Sequence, residues 1–111
     1  MRALALLLSV LAIGCAASLR EGVRTTREGV RFTLKEPAAT SVAVAGDWNG
    51  WSVRAHPLAR SGGVWTAVIT LPPGEHAFMY VVDGTLWLTP RNVTETAPDG
   101  FGGWNGTIRI P

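Results

Sequence analysis

The groups in this chain able to do acid–base or metal chemistry are few: Asp47, His56, His76, Asp83 and Asp99. None of them forms a closely paired or ligand-spaced set, and no arrangement of Ser, His and Asp marks a nucleophile. Asp47 and Asp83 stand in turn sequences, where a carboxylate accepts bonds from nearby backbone N–H groups. The chain is therefore read as non-catalytic, with no metal and no cofactor. Chemistry of another kind remains, because there are five tryptophans in 111 residues. A small core cannot easily bury all five, so some are expected on the surface as flat apolar platforms.

The elements that must position them are strands. Val30, Phe32 and Leu34 alternate with Arg31, Thr33 and Lys35, the period-two pattern of a half-buried strand. Ser41 to Gly46 is a second strand, followed by turn-rich sequence from Asp47 to Ser52. Val64 to Leu71 places Trp65, Ala67, Ile69 and Leu71 on one face, which assigns Trp65 to the core. Pro72-Pro73-Gly74 then reverses the chain. Glu75 to Val82 puts His76, Phe78, Tyr80 and Val82 on one face and Ala77, Met79 and Val81 on the other. Asp83-Gly84 signals a hairpin into a short strand from Thr85 to Thr89, which Pro90 ends. A loop is expected from Arg91 to Gly103 and a last strand from Gly106 to Ile110. No helical period follows the N-terminal segment. The fold class is all-β: an antiparallel sandwich of six to eight short strands with immunoglobulin-like topology.

Residues 1–14 carry Arg2 and then an apolar run through Ile13, too short to span a bilayer and of the length of a signal peptide. Ala12-Ile13-Gly14 before the single Cys15 resembles the lipobox of bacterial lipoproteins, which implies lipid on Cys15 and, with Ala16 next, the outer membrane. An ordinary secretory signal cut near Ala17 would instead discard Cys15. Residues 15–28 are then a tether and residues 29–111 the sandwich. Arg20-Glu21-Gly22-Val23-Arg24 recurs as Arg27 to Arg31. Its first copy reads as solvated linker, or as attraction of Arg20, Arg24 and Arg27 to anionic head groups. Ten basic residues face eight acidic ones, and removing the leader takes away only Arg2. Such near-neutrality argues against nucleic acid.

Several linked landmarks resemble carbohydrate-binding module family 48, the glycogen-binding domain of AMP-activated kinase β subunits and the early-set domain of isoamylases and branching enzymes. They are Gly46-Asp47-Trp48-Asn49-Gly50-Trp51, Pro57-Leu58, Leu71 to His76, Val81-Val82-Asp83-Gly84 and Trp104-Asn105-Gly106. The resemblance implies binding of α-glucan without catalysis. It gives Trp51 the role of stacking on a glucose ring, Asn105 that of bonding hydroxyls, and Phe101 that of apolar support. Trp48 falls where the family has a buried Phe. Two positions differ. Met79 stands where the kinase subunits have Lys, and Leu86 stands where they have a second stacking Trp, with Trp87 one place later. A one-residue slip in a strand reverses facing, so Trp87 is open to either the sugar or the core. Trp104 is a further candidate for the second platform.

An indole suits a pyranose because it covers the ring's C–H patch at low rotamer cost while its N–H can reach a hydroxyl. Asn105 brings two donors and one acceptor to fix orientation. The alternative function is a protein-interaction module that has lost sugar binding, favoured by the apolar face of Ala77, Met79 and Val81. A glucan-active enzyme or another envelope protein would be the partner.

Overall fold

The computed structural model describes residues 19–111. The signal peptide and Cys15 expected in residues 1–18 lie outside that range. Nine strands follow in chain order: β1 (Gly22–Thr25), β2 (Val30–Lys35), β3 (Val42–Gly46), β4 (Ala59–Ser61), β5 (Val64–Ile69), β6 (Gly74–Val82), β7 (Leu86–Leu88), β8 (Glu95–Pro98) and β9 (Trp104–Ile110). One 3₁₀ turn, Asp47–Asn49, follows β3. The strands form two antiparallel sheets, β1-β2-β5-β4 and β3-β6-β9-β8, with β7 added to β6. The fold is thus the early-set, immunoglobulin-like β-sandwich.

Alternation along each strand decides what lies between the sheets. Val30, Phe32, Leu34, Trp65 and Ile69 from the first sheet meet Val42, Val44, Phe78, Tyr80 and Val82 from the second. Phe32 and Phe78 touch edge to face at 5.1 Å, the geometry their ring quadrupoles favour. Trp65 is buried, and its Nε1–H donates to the Glu36 carbonyl at 3.0 Å. Trp48 closes one end of the core, 5.9 Å from Phe32 and 5.8 Å from His76. Gly46 makes room for it, since a Cβ there would lie 2.3 Å from the Trp48 ring.

Three expectations need correction. Residues 22–25 are not tether: Val23 pairs with Phe32 and packs against the core, so the first copy of the repeat enters β1 and the second forms the turn and the start of β2. Thr26 and Gly29 close the turn, with N–H···O bonds of 2.7 and 3.3 Å in the two directions. The expected loop from Arg91 to Gly103 contains β8, whose backbone groups pair with β9. The short β4 adds a further strand beside β5, which takes the total to nine.

The hairpin at Asp83-Gly84 is tied to the start of β3. One Asp83 carboxylate oxygen accepts from the Thr40 N–H at 2.7 Å, the Thr40 hydroxyl at 2.9 Å and the Ser41 N–H at 3.2 Å. Those bonds, led by the Thr40 N–H, hold its pKa below the usual carboxylate range. At the opposite edge Arg91 reaches Glu21 at 2.8 Å and Glu36 at 3.2 Å. Burial alone would raise the Glu21 pKa, but the bonds from Arg91, the Lys35 N–H and Asn92 outweigh it and the pKa is lowered.

The edges of both sheets are short or covered. The His56–Leu58 segment runs along β3, with Val44 N–H to His56 O at 3.0 Å and Leu58 N–H to Val42 O at 2.8 Å. The outer strand β4 has three residues, and the outer strand β8 ends in Pro98.

Candidate functional site

Strand β6 is the longest in the fold and changes partner along one side. From Gly74 to Phe78 it pairs with β9; from Tyr80 to Val82 it pairs with β7. Met79 lies between the two partners, on the outer face of the second sheet. The Thr89 hydroxyl bridges them by donating to the Trp104 carbonyl at 2.9 Å. Over this junction lies a cleft of about 790 Å³ lined by Trp51, Met79, Trp87, Thr89, Asp99, Phe101, Gly102, Gly103 and Asn105. That is within the ordinary range of ligand sites, about 300–1,000 Å³.

The register decides which tryptophans enter. Val81 pairs with Trp87 and Tyr80 with Leu88, so Trp87 shares the outer face with Val81 and Met79 while Leu88 turns to the core. Trp87 is 42% exposed. The core placement left open for it is thereby excluded. Asn105 lies on the same face, paired with Ala97. Trp104, next to it, takes the other face by alternation. It is 52% exposed and does not line the cleft, which corrects its candidacy as second platform. Trp87 instead lines the cleft. Val81 is buried and Met79 is part of the cleft wall, so the apolar outer face of β6 is not a free patch.

Trp51 arrives from the turn after β3. Gly50 at φ 69° and Trp51 at φ 60° both lie in the left-handed region, and the Trp51 N–H donates to the Gly46 carbonyl at 2.9 Å. A bulky side chain there carries strain on the order of 1–3 kcal/mol. Asn49 braces the turn. Its Oδ1 accepts from the Gly46 N–H at 3.0 Å and the Ser52 N–H at 3.2 Å. Its amide donates to the Val44 carbonyl at 3.1 Å and to His56 Nδ1 at 2.8 Å.

Asp47 fastens the same turn to β6. Its Oδ2 accepts the Ala77 N–H at 2.9 Å, and its Oδ1 meets His76 Nδ1 at 2.7 Å. His76 Nε2 faces the Pro72 carbonyl at 2.8 Å. Both ring nitrogens thus face acceptors, and only the imidazolium donates to both. Burial lowers the pKa of His76, but the Asp47 bond and charge and the Pro72 carbonyl more than offset it, so the pKa is raised. This pair holds the backbone and does not reach the cleft.

The far lip is the loop from Asp99 to Gly103. Asp99 Oδ1 accepts from the Phe101 N–H at 2.7 Å and the Gly103 N–H at 2.9 Å, and the Asp99 N–H donates to the Gly103 carbonyl at 3.0 Å. Phe101 stands at the tip, 93% exposed. The structure therefore brings together Trp51, Met79, Trp87, Phe101 and Asn105 of the expected set, and adds Thr89 and Asp99. Thr89 was legible as the residue across the hairpin from Met79. Asp99 was weighed only as an acid or a ligand, whereas its bonds shape the lip. Among the described residues, no three His, Cys, Asp or Glu side chains converge as a metal would require.

Such a cleft has apolar plates on two sides and an amide, a hydroxyl and a carboxylate between them, which suits a ligand with C–H faces and many hydroxyls. Comparison with known proteins agrees. Residues 29–111 match the family described as the glycogen recognition site of AMP-activated protein kinase. The 1,4-alpha-glucan branching enzyme GlgB of Pseudomonas aeruginosa is 36% identical over 80 residues, which are 70% of this chain and 10% of that enzyme. GlgB of Prochlorococcus marinus is 53% identical over 51 residues, 45% of this chain and 6% of that enzyme. GlgB 2 of Xanthomonas oryzae is 42% identical over 64 residues, 54% of this chain and 9% of that enzyme. The chain thus matches a tenth or less of the length of these relatives. By the extent of the family match and the architecture that carries it, this chain belongs to the family of the glycogen recognition site of AMP-activated protein kinase.

Proposed function

We propose that the chain binds α-1,4-linked glucan without catalysis, by stacking sugar rings on Trp51 and Trp87 while Asn105 bonds their hydroxyls. The observation that carries this reading is the convergence of two indoles, one from the turn after β3 and one from β7, on the cleft that also holds Asn105. The Thr89 hydroxyl oxygen and the Asp99 carboxylate add acceptors at the same wall, and Phe101 supplies apolar support from the lip. The relatives named above are enzymes of 1,4-alpha-glucan, and this chain matches only a small share of each. The interaction-module alternative has less support, since Val81 is buried and Met79 belongs to the cleft.

Retention on immobilised amylose, with cellulose as control, tests the reading. Selective retention on amylose is expected; equal behaviour on both supports removes α-glucan as the ligand. In the cell the domain is proposed to act at the bacterial envelope, facing the periplasm or the exterior on lipid carried by Cys15, beside a glucan-active enzyme or another envelope protein. Support for the anchor is the apolar run ending in Gly14 and Cys15. Fatty-acid labelling that survives Cys15→Ser would refute it.

A further inference from the structure

Strand alternation sends a second set of residues to the outer face of the β1-β2-β5-β4 sheet, on the side of the sandwich away from the cleft. Arg24 and Arg31 are direct cross-strand partners there, and Gly22 lies opposite Thr33 on the same face. Like charges directly opposite across a strand pair repel. Leu19, Arg20, Gly22, Arg24, Arg31 and Thr33 line a shallow hollow of about 250 Å³ on this face.

No carboxylate balances these guanidinium groups. Among the described residues neither Arg20, Arg24 nor Arg31 forms an ion pair. Glu21 and Glu36, the acidic groups of the neighbouring edge, are both engaged by Arg91. Residues 1–18 contain no Asp or Glu at all. That preceding segment is strongly apolar and joins the domain at Leu19, in the wall of the same hollow. Three residues separate Cys15 from Leu19, and the four Cα–Cα steps between them reach at most about 14 Å.

We propose that this sheet face docks on an anionic phospholipid surface, with head-group phosphates between Arg24, Arg31 and Arg20, so that the glucan cleft on the opposite sheet points away from the membrane. Charge complementarity selects the partner: the cations stand close together without counter-charges, and the chain leaves the domain here through an apolar segment. Phosphate oxygens accept the forked N–H groups of arginine in pairs, which relieves the repulsion built into the Arg24–Arg31 pairing. The loop residue Arg27 lies outside the hollow; Arg31 takes its place in the basic set first read from the sequence.

The test is co-sedimentation of the full chain with vesicles of phosphatidylcholine alone and of phosphatidylcholine mixed with phosphatidylglycerol. The anionic vesicles are expected to retain more protein, with the excess falling as salt rises. Replacing Arg24 and Arg31 by Gln should weaken the excess about fivefold for each guanidinium lost. That variant should melt no lower than the parent, because a repulsive pair has been removed. The charge-matched pair Arg54→Gln and Arg109→Gln should leave the excess unchanged. Amylose measured in the same tubes separates this inference from the glucan reading: protein on anionic vesicles should still bind it, and a parent that binds no amylose leaves the vesicle result standing. Equal partitioning to both vesicles, equal losses from the two Arg pairs, or release from vesicles by amylose would each overturn the proposal.

Discussion

His76 Nδ1 lies 2.7 Å from Asp47 Oδ1 and its Nε2 2.8 Å from the Pro72 carbonyl, contacts that fasten the turn carrying Trp51 to strand β6. A histidine whose folded pKa is raised contributes stability that is fully present below its unfolded value, near 6.5, and is lost as pH rises through the folded value. The melting temperature is therefore expected to fall on the alkaline side of that window. His76→Gln should be less stable than the parent at pH 6, with the gap narrowing as pH rises. Parallel melting curves for parent and variant across this range would refute the linkage.

Trp51 and Trp65 should separate binding from stability. Trp65→Ala opens a cavity in the core and removes the bond to Glu36, at a cost of about 3–5 kcal/mol, enough to leave a domain this small barely folded. Trp51→Ala should change stability little while weakening maltoheptaose binding tenfold or more, the ~1–2 kcal/mol of apolar burial on one indole face. Thermal melts with a binding titration decide it. A folded Trp51→Ala protein with parental affinity excludes this cleft.

Trp87 and Trp104 provide a sharper contrast, because both are exposed and they lie on opposite faces. Trp87→Ala is expected to weaken maltoheptaose binding about tenfold, by the same burial argument, and Trp104→Ala to leave it within about twofold. Loss of affinity in Trp104→Ala equal to that in Trp87→Ala would show that the ligand follows a different path.

Tyr80 is buried, and its hydroxyl has no hydrogen-bond partner among the described residues. Burial, with the nearby Glu21 charge, pushes its pKa up, so it stays a neutral phenol. A buried hydroxyl without a partner carries its desolvation cost uncompensated, on the order of 1–3 kcal/mol. Tyr80→Phe should match or exceed the parent in a denaturant melt. A loss of more than about 1 kcal/mol would mean that the hydroxyl is satisfied in solution.

Much of this fold was legible in alternation alone. Val30, Phe32 and Leu34, and Phe78, Tyr80 and Val82, announce their inner faces because the opposite positions are smaller or more polar. β1 was hidden because Gly22 and the Thr25-Thr26 pair look like linker; only pairing with β2 makes Val23 a core residue. β8 was hidden among Pro, Gly and Asp for the same reason, its backbone bonds coming from β9. The facing of Trp87 needed the register across the Asp83-Gly84 turn, where a single-residue slip reverses every side chain. Trp104 could not be sorted from Asn105 without knowing where β9 begins.

A domain that binds a polymer is brought to high local density on it, where bare strand edges would pair with those of neighbouring copies. Here the edge of β3 is already bonded along His56–Leu58, β4 offers three residues, and β8 ends on a proline that has no N–H to give. Such edges are poor templates for cross-β growth. If the domain binds glucan as proposed, many copies could therefore crowd on one strand of polysaccharide without the array seeding aggregation.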